Sequence, residues 1–368
     1  MHLTTVTVSE LKNQLKTPFK THAGVVHDRH SLLIELRDKE GNIGYGECVA
    51  FSTPFYSEET VQTGWHMLTD VFIPHLKANL EVIEHPRDVC HLLKGFQGNQ
   101  MAKAGLDLAA WDLYAKQRST PLFQLIGGLS VPVEVGVVVS LSEQMEELLP
   151  YYEAKGYKRV KLKVQKGEEK RVITKAKQIA PNLSYMIDGN GMYTEEDMDW
   201  LVSLDSLGLL MIEQPFRAGD FYLHAQLQRQ METPISLDET ITSYADAKQA
   251  IALQSCRIMN IKLGRVGGFT EALRIYDLCR AHGIPLWCGG MLELGVSRAH
   301  SLALSSLAGF TIPGDISASS RYWHRDITKP PIELVNGKLP LPEGEGIGYQ
   351  LDLEQVNHMT LSRYEFNF

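Results

Sequence analysis

The sequence has no surplus of positive charge. Its 36 Lys and Arg stand against 44 Asp and Glu, a formal net charge of −8, so a dedicated nucleic-acid binder is excluded. It has no long apolar run either. The longest, Val135–Val139 and Leu207–Ile212, fall far below the roughly 20 residues a membrane helix needs. No basic stretch leads into an apolar core near Met1, so no secretory signal is read there. Cysteine is sparse: Cys48, Cys90, Cys256, Cys279 and Cys288 are scattered and form no C-x-x-C pair. That usage suits reduced thiols and argues against a disulfide framework or a zinc site. G-x-x-x-x-G-K-[S/T], H-E-x-x-H and G-x-S-x-G are absent, and the histidines, such as His85 and His91, show no ligand spacing. Gly344, Gly346 and Gly348 lack the strand-to-helix setting of a dinucleotide fingerprint and read as a loop. The expectation is a soluble cytoplasmic enzyme with no nucleic-acid or membrane partner.

What is present is ordinary globular composition, 44% hydrophobic and 22% charged over 368 residues, enough for about two domains. Arg29–Arg37 and Ile43–Glu47 are β-rich runs joined by Asp38-Lys39-Glu40-Gly41-Asn42, a hairpin turn. Ser57–Ala78 and Asn99–Arg118 carry apolar residues at helical spacing, with Leu108 and Trp111 read as core. After Gly127-Gly128 the character changes. Val133–Val139, Arg159–Val164, Ser184–Asp188, Leu209–Glu213, Pro234–Asp238, Ile258–Lys262, Ile284–Cys288 and Phe310–Gly314 are short apolar runs alternating with helical stretches. Eight such units predict a parallel α/β sheet closed into a barrel. Residues 1–125 then form an α+β unit and 126–325 the barrel. The tail 326–368 is too short to stand alone and is expected to return to the first unit.

The strand ends carry the chemistry. Lys163, Asp188, Glu213, Asp238 and Lys262 lie 25, 25, 25 and 24 residues apart, one βα unit each. In a closed barrel these ends converge on the face that holds active sites. Three carboxylates placed together repel unless a cation sits among them. An oxygen-only donor set selects a hard ion, so Mg²⁺ is expected, with Mn²⁺ as an alternative occupant. Three protein ligands leave room for substrate oxygens, and such an ion stabilises enolate charge as a Lewis acid.

In Arg159-Val160-Lys161-Leu162-Lys163-Val164 the cations share one strand face and the aliphatics the other. With the aliphatics packed on helices, Lys161 and Lys163 point into the barrel mouth. A lysine base must be neutral, and neighbouring positive charge with partial burial is expected to push its pKa down. Lys262, four strands on, approaches from the opposite side, so the two lysines can handle protons on both faces of one carbon. A lysine at a barrel strand end is also the signature of a Schiff-base aldolase, against which the three carboxylates argue. Arg265, three residues beyond Lys262, reads either as a partner for a substrate carboxylate or as an exposed loop arginine.

These residues resemble the enolase superfamily in its muconate-lactonising subgroup. The likeness lies in Lys161-x-Lys163, Asp188-Gly189-Asn190, Glu213-Gln214-Pro215, Asp238-Glu239-Thr240 and Lys262 within Asn260–Gly268. It runs from about Gly24 to about Ile327 and implies a modified TIM barrel, (β/α)₇β, with an α+β capping domain built from the N-terminal region and the C-terminal tail. It implies metal ligation by Asp188, Glu213 and Asp238, acid/base roles for Lys163 and Lys262, and support from Lys161. Trp287–Glu293, Arg298-Ala299-His300 and Pro313–Ser319 are similar to the o-succinylbenzoate synthase branch that also contains N-succinylamino acid racemases. Dipeptide epimerases carry a D-x-D pair where this chain has Asp315-Ile316-Ser317, which sets them apart. The resemblance implies an Mg²⁺-dependent dehydration of 2-succinyl-6-hydroxy-2,4-cyclohexadiene-1-carboxylate in menaquinone synthesis. Racemisation of N-succinylamino acids in the same site is the alternative. A small carboxylate is the expected substrate and a homo-oligomer the expected assembly. Thr17–His30 is expected to form a lid loop over the mouth, where the resemblance places a specificity loop.

Overall fold

The computed structural model describes residues 1–368 apart from 22–23 and 140–143, with the side chains of 20, 21 and 24 also left aside. Three strands open the chain: β1 (Leu3–Thr21), β2 (Gly24–Asp38) and β3 (Ile43–Cys48). The last strand, β11 (Thr360–Asn367), pairs antiparallel with β1, giving the sheet order β11-β1-β2-β3. Period-2 alternation decides which way β2 faces. Leu32, Ile34 and Leu36 enter the core of this unit, while Leu33 joins the much larger core shared with the barrel. Helix α1 (Gln100–Lys116) is wedged between the two and is buried on nearly every side. Its start, at Asn99, has no side-chain cap, and the Glu59 carboxylate supplies one by accepting the Met101 and Ala102 N–H groups.

Seven parallel strands follow: β4 (Gly136–Val139), β5 (Arg159–Lys163), β6 (Ser184–Asp188), β7 (Met211–Glu213), β8 (Ile235–Leu237), β9 (Ile258–Ile261) and β10 (Leu286–Cys288). They pair in that order. Outward positions such as Val160, Leu162, Ile187, Ile212, Ile235 and Ile261 join the large core against the helices. Inward, Met186, Met211, Ile258 and Trp287 form a small separate apolar plug. Above that plug the inward positions are charged or polar, which builds the site.

The eighth unit differs from the expected strand at Phe310–Gly314. The segment hydrogen-bonds both edges of the sheet, with Leu286 N donating to Gly309 O (3.0 Å), Asp315 N to Cys288 O (2.9 Å) and Gly136 N to Gly314 O (2.7 Å). It therefore closes the modified TIM barrel, but through isolated bridges instead of a ladder. Pro313, which has no N–H to give, lies within it and interrupts regular pairing.

Thr17–His30 is largely strand where a loop was expected. β1 runs to Thr21 and β2 starts at Gly24, with Phe19 opposite Val26 and both packed against the large core. Only residues 22–23 of this segment lie outside the described residues. A half-buried cross-strand pair extends the hairpin where a polar loop would have frayed. The five cysteines are free. Among the described residues no helix is long and apolar enough to cross a membrane.

Candidate active site

Strand register assembles the site. Lys163 lies opposite Asp188 and Asp188 opposite Glu213 on three consecutive strands. Asp238 follows β8 directly, two residues beyond Ser236, the partner of Glu213. Asn260 comes level with Trp287, and Lys262 caps β9 on the opposite side of the ring. Lys161 sits one pleat below Lys163 on the same face, as the alternation predicts. All of these side chains are buried except that of Lys163, which is 29% exposed.

The ammonium groups stand among the carboxylates. Lys163 Nζ donates to Asp188 Oδ2 (2.6 Å) and Asn190 Oδ1 (2.5 Å). Lys161 Nζ lies 2.7 Å from Asp315 Oδ2, 3.0 Å from Glu213 Oε2 and 3.3 Å from Asp188 Oδ2. Lys262 Nζ donates to Asp238 Oδ2 (2.8 Å) and meets the Tyr56 hydroxyl at 3.1 Å. Asn260 Nδ2 bridges Glu213 Oε1 and Asp238 Oδ1, both at 3.0 Å. Gln214, at a left-handed φ of 39°, turns its Oε1 back to accept the Asp238 and Thr240 N–H groups and so fixes the turn that carries Asp238.

Electrostatics follow from this crowding. Burial pushes Asp188 up, but Lys163 and Lys161 outweigh it and hold its carboxyl far below the usual range. Glu213 is pushed up by burial and by Asp188, and Glu239 likewise. Lys161 and Lys262 are shifted upward. Burial lowers Lys161, yet Asp315, Glu213 and Asp188 together carry it well above the ordinary lysine value. Tyr56, Glu239 and Glu213 do the same for Lys262. At these two lysines the ring of carboxylates outweighs burial and the neighbouring cations.

Among the described residues, no three Asp, Glu, His or Cys side chains are arranged as metal ligands; the lysine ammonium groups and the Asn260 amide lie between the carboxylates. The residues nonetheless fit a hard divalent ion. The converging acids offer oxygen alone, and Glu239 Oε2 is buried without a hydrogen-bond partner. Burial first, and then repulsion from Asp188, raises Glu213 and Glu239, and a cation among them relieves that repulsion.

Sequence reasoning gave no site role to Arg159, Asp315, Asn260 or Tyr56, and left that of Arg265 open. Arg159, fully buried below Lys161, pairs with Asp315 (2.5 Å), and Asp315 belongs to the irregular closing segment. Asn260 carries no charge to draw attention. Tyr56 arrives from the N-terminal unit, far away in sequence. Arg265 is not the exposed loop arginine that was one of its two readings. It is buried and donates to Asp238, to Ile241 O (2.7 Å), to Asn260 O (2.6 Å) and to the Tyr56 hydroxyl (3.1 Å).

Two family models match the chain: "Mandelate racemase / muconate lactonizing enzyme, N-terminal domain" over residues 3–127 and "Enolase C-terminal domain-like" over residues 141–356. An o-succinylbenzoate synthase of Geobacillus stearothermophilus is 47% identical over 358 residues, covering 96% of this chain and 95% of that protein. An N-succinylamino acid racemase of Thermus thermophilus is 42% identical, covering 95% of each. Among solved structures, an enolase superfamily member from Listeria innocua superposes with a TM-score of 0.96 at 41% identity, covering 100% of this chain and 99% of that one.

Proposed function

The chain belongs to the mandelate racemase / muconate lactonizing enzyme family of the enolase superfamily, and from that premise we propose that it is an o-succinylbenzoate synthase. The observation that carries the reading is the placement of Lys163 and Lys262. They lie four strands apart in the ring, each bonded to a different outer carboxylate, with Glu213 between. In this reading residues 126–325 are the catalytic barrel, and 1–125 with 326–368 the capping unit.

Asp188, Glu213 and Asp238 would hold Mg²⁺, or Mn²⁺ in its place, and Asn260 orients two of the three. When bound, the ion supplies Lewis-acid stabilisation of the negative charge that develops on the substrate carboxylate. Lys163 Nζ, at the more open side of the site, takes the proton α to that carboxylate. Asn190 Oδ1 then holds the resulting ammonium. The same Nζ returns the proton to the departing hydroxyl, which leaves as water while the ring becomes aromatic. Lys262, held on the far face by Asp238 and the Tyr56 hydroxyl, offers its charge to the forming aromatic ring. Lys161 keeps its positive charge beneath the acids.

The paired lysines also support racemisation of N-succinylamino acids, each lysine serving one enantiomer; the Thermus relative of that name is of similar identity. The reading carries with it a small dicarboxylic substrate, a cytoplasmic setting and a homo-oligomer. Its test is to offer the purified protein and Mg²⁺ the cyclohexadiene acid and a panel of N-succinylamino acids. A kcat/KM for dehydration at least about tenfold above every racemisation is expected. Racemisation exceeding dehydration by the same margin would make the racemase the better reading.

A further inference from the structure

Lys161 poses a problem that the proposed function leaves open. Its ammonium touches Glu213 and Asp188 at 3.0 and 3.3 Å, the acids assigned to a divalent cation. A positive charge there competes with the cation for the same oxygens and repels it. Something must hold it aside. Its shortest contact is to a third carboxylate, Asp315 Oδ2, at 2.7 Å.

Asp315 is itself anchored. Its N–H donates to Cys288 O at the barrel closure (2.9 Å), and its Oδ1 accepts from Arg159 Nη2 (2.5 Å). Arg159 has little freedom to move. Its Nε donates to Pro313 O (2.7 Å), and its guanidinium lies 5.1 Å from the Trp287 ring centroid. The space it fills exists because residue 136 is glycine: a Cβ there would stand 2.3–2.6 Å from the Arg159 guanidinium. A buried pair of this kind is a poor source of stability compared with apolar packing, which directs attention to what it positions.

We propose that Asp315, clamped by Arg159, is a positioning residue that holds the Lys161 ammonium toward the closing segment and so leaves Asp188 and Glu213 able to take a divalent cation. Asp315 is thus no ligand. It acts through Lys161, and it serves any reaction the metal-dependent site performs. The inference rests on the reading of Asp188, Glu213 and Asp238 as the cation site.

The experiment is calorimetric titration of Mg²⁺ into the substrate-free protein, which reads binding without turnover. Asp315→Asn keeps the shape and removes the charge. Lys161 then closes on Asp188 and Glu213, and Mg²⁺ affinity is expected to fall about tenfold or more, as it does when groups that orient ligands are lost. Adding Lys161→Met should return Mg²⁺ affinity to the wild-type value or tighter, although turnover stays low. A merely structural role for Asp315 would not be rescued that way. If Asp315→Asn fails to fold because Arg159 is left unpaired, Arg159→Met/Asp315→Asn removes both charges and the same rescue applies. Wild-type affinity in the Asp315 variants, or weak binding that Lys161→Met does not restore, overturns the inference. Absence of Mg²⁺ binding by the wild-type protein would instead overturn the cation-site reading, and the inference with it.

Discussion

Replacing Gly289 with alanine probes the position of Lys262 without replacing any charged group. Gly289 follows β10, and a Cβ built on it would lie 2.5 Å from Lys262 Cε and 2.7 and 2.8 Å from Asn260 Oδ1 and Nδ2. Its backbone is outside the left-handed region, so alanine meets an obstacle of space and not of conformation. Carbon–carbon contacts relax near 3.5 Å, so Lys262 must give way by roughly 1 Å. The two neighbours offer little room, since Lys262 is tied to Asp238 and Tyr56 and Asn260 to Glu213 and Asp238. A displacement of that size at a reacting group costs on the order of 10²-fold in rate. Overpacking should add about 1–3 kcal/mol of destabilisation, read as a lower Tm. The assay is steady-state dehydration at saturating Mg²⁺, with kcat expected to fall about 100-fold and KM to change far less. A Gly289→Ala enzyme with kcat within about threefold of wild type would refute the claim that Lys262 must stand where it does.

Asp238→Asn removes one proposed ligand and should raise the Mg²⁺ concentration needed for half-maximal activity at least about 10-fold; a Mg²⁺ titration of the rate checks it. In D₂O with an N-succinylamino acid, Lys163→Ala should abolish α-proton exchange for one enantiomer and spare it for the other. Lys262→Ala should show the reverse, each loss amounting to about 10²–10⁴-fold by proton NMR. The capping unit gives a pH prediction through Glu47, which accepts the Leu294 and Ser297 N–H groups at the start of a barrel helix. Burial pushes Glu47 up to about 7, against the two N–H groups and Arg29, with Glu293 adding repulsion. The folded protein therefore holds this proton between about pH 4.5 and 7 while the unfolded chain does not, so its contribution is full below that window and lost as pH rises through it. The loss is on the order of 3 kcal/mol, and Glu47→Gln should flatten the fall in Tm between pH 5 and 7.5.

How much of this was legible in the sequence depended on regularity. Lys163, Asp188, Glu213, Asp238 and Lys262 stood out because one βα unit repeats at nearly constant length, and the period-2 face of Arg159, Lys161 and Lys163 revealed which way they point. Where regularity fails, so does the reading. Asp315 rides on a closing segment broken by Pro313, and nothing in its spacing ties it to Lys161. Tyr56 reaches Lys262 across 206 residues of sequence, a contact only the closed fold creates. Arg265 stayed open between two readings because its carbonyl partners, Ile241 and Asn260, leave no mark in side-chain chemistry. The Thr17–His30 segment looked like a loop because its glycine and histidines outweighed the strand pairs, Phe19–Val26 among them, that extend the hairpin. The upward shifts of Lys161 and Lys262 were hidden for a related reason: sequence neighbours are visible in the chain, whereas the surrounding carboxylates come from other strands.

The central claim is that these carboxylates and lysines perform metal-dependent proton abstraction. Its most direct test is conversion of the cyclohexadiene acid to o-succinylbenzoate before and after exhaustive chelation, with borohydride added during turnover in a parallel sample. The account predicts that chelation abolishes conversion, that Mg²⁺ restores it, and that borohydride leaves no substrate bound to the protein. Undiminished conversion after chelation, or a reduced covalent adduct on Lys163 or Lys262, would contradict it and favour Schiff-base chemistry.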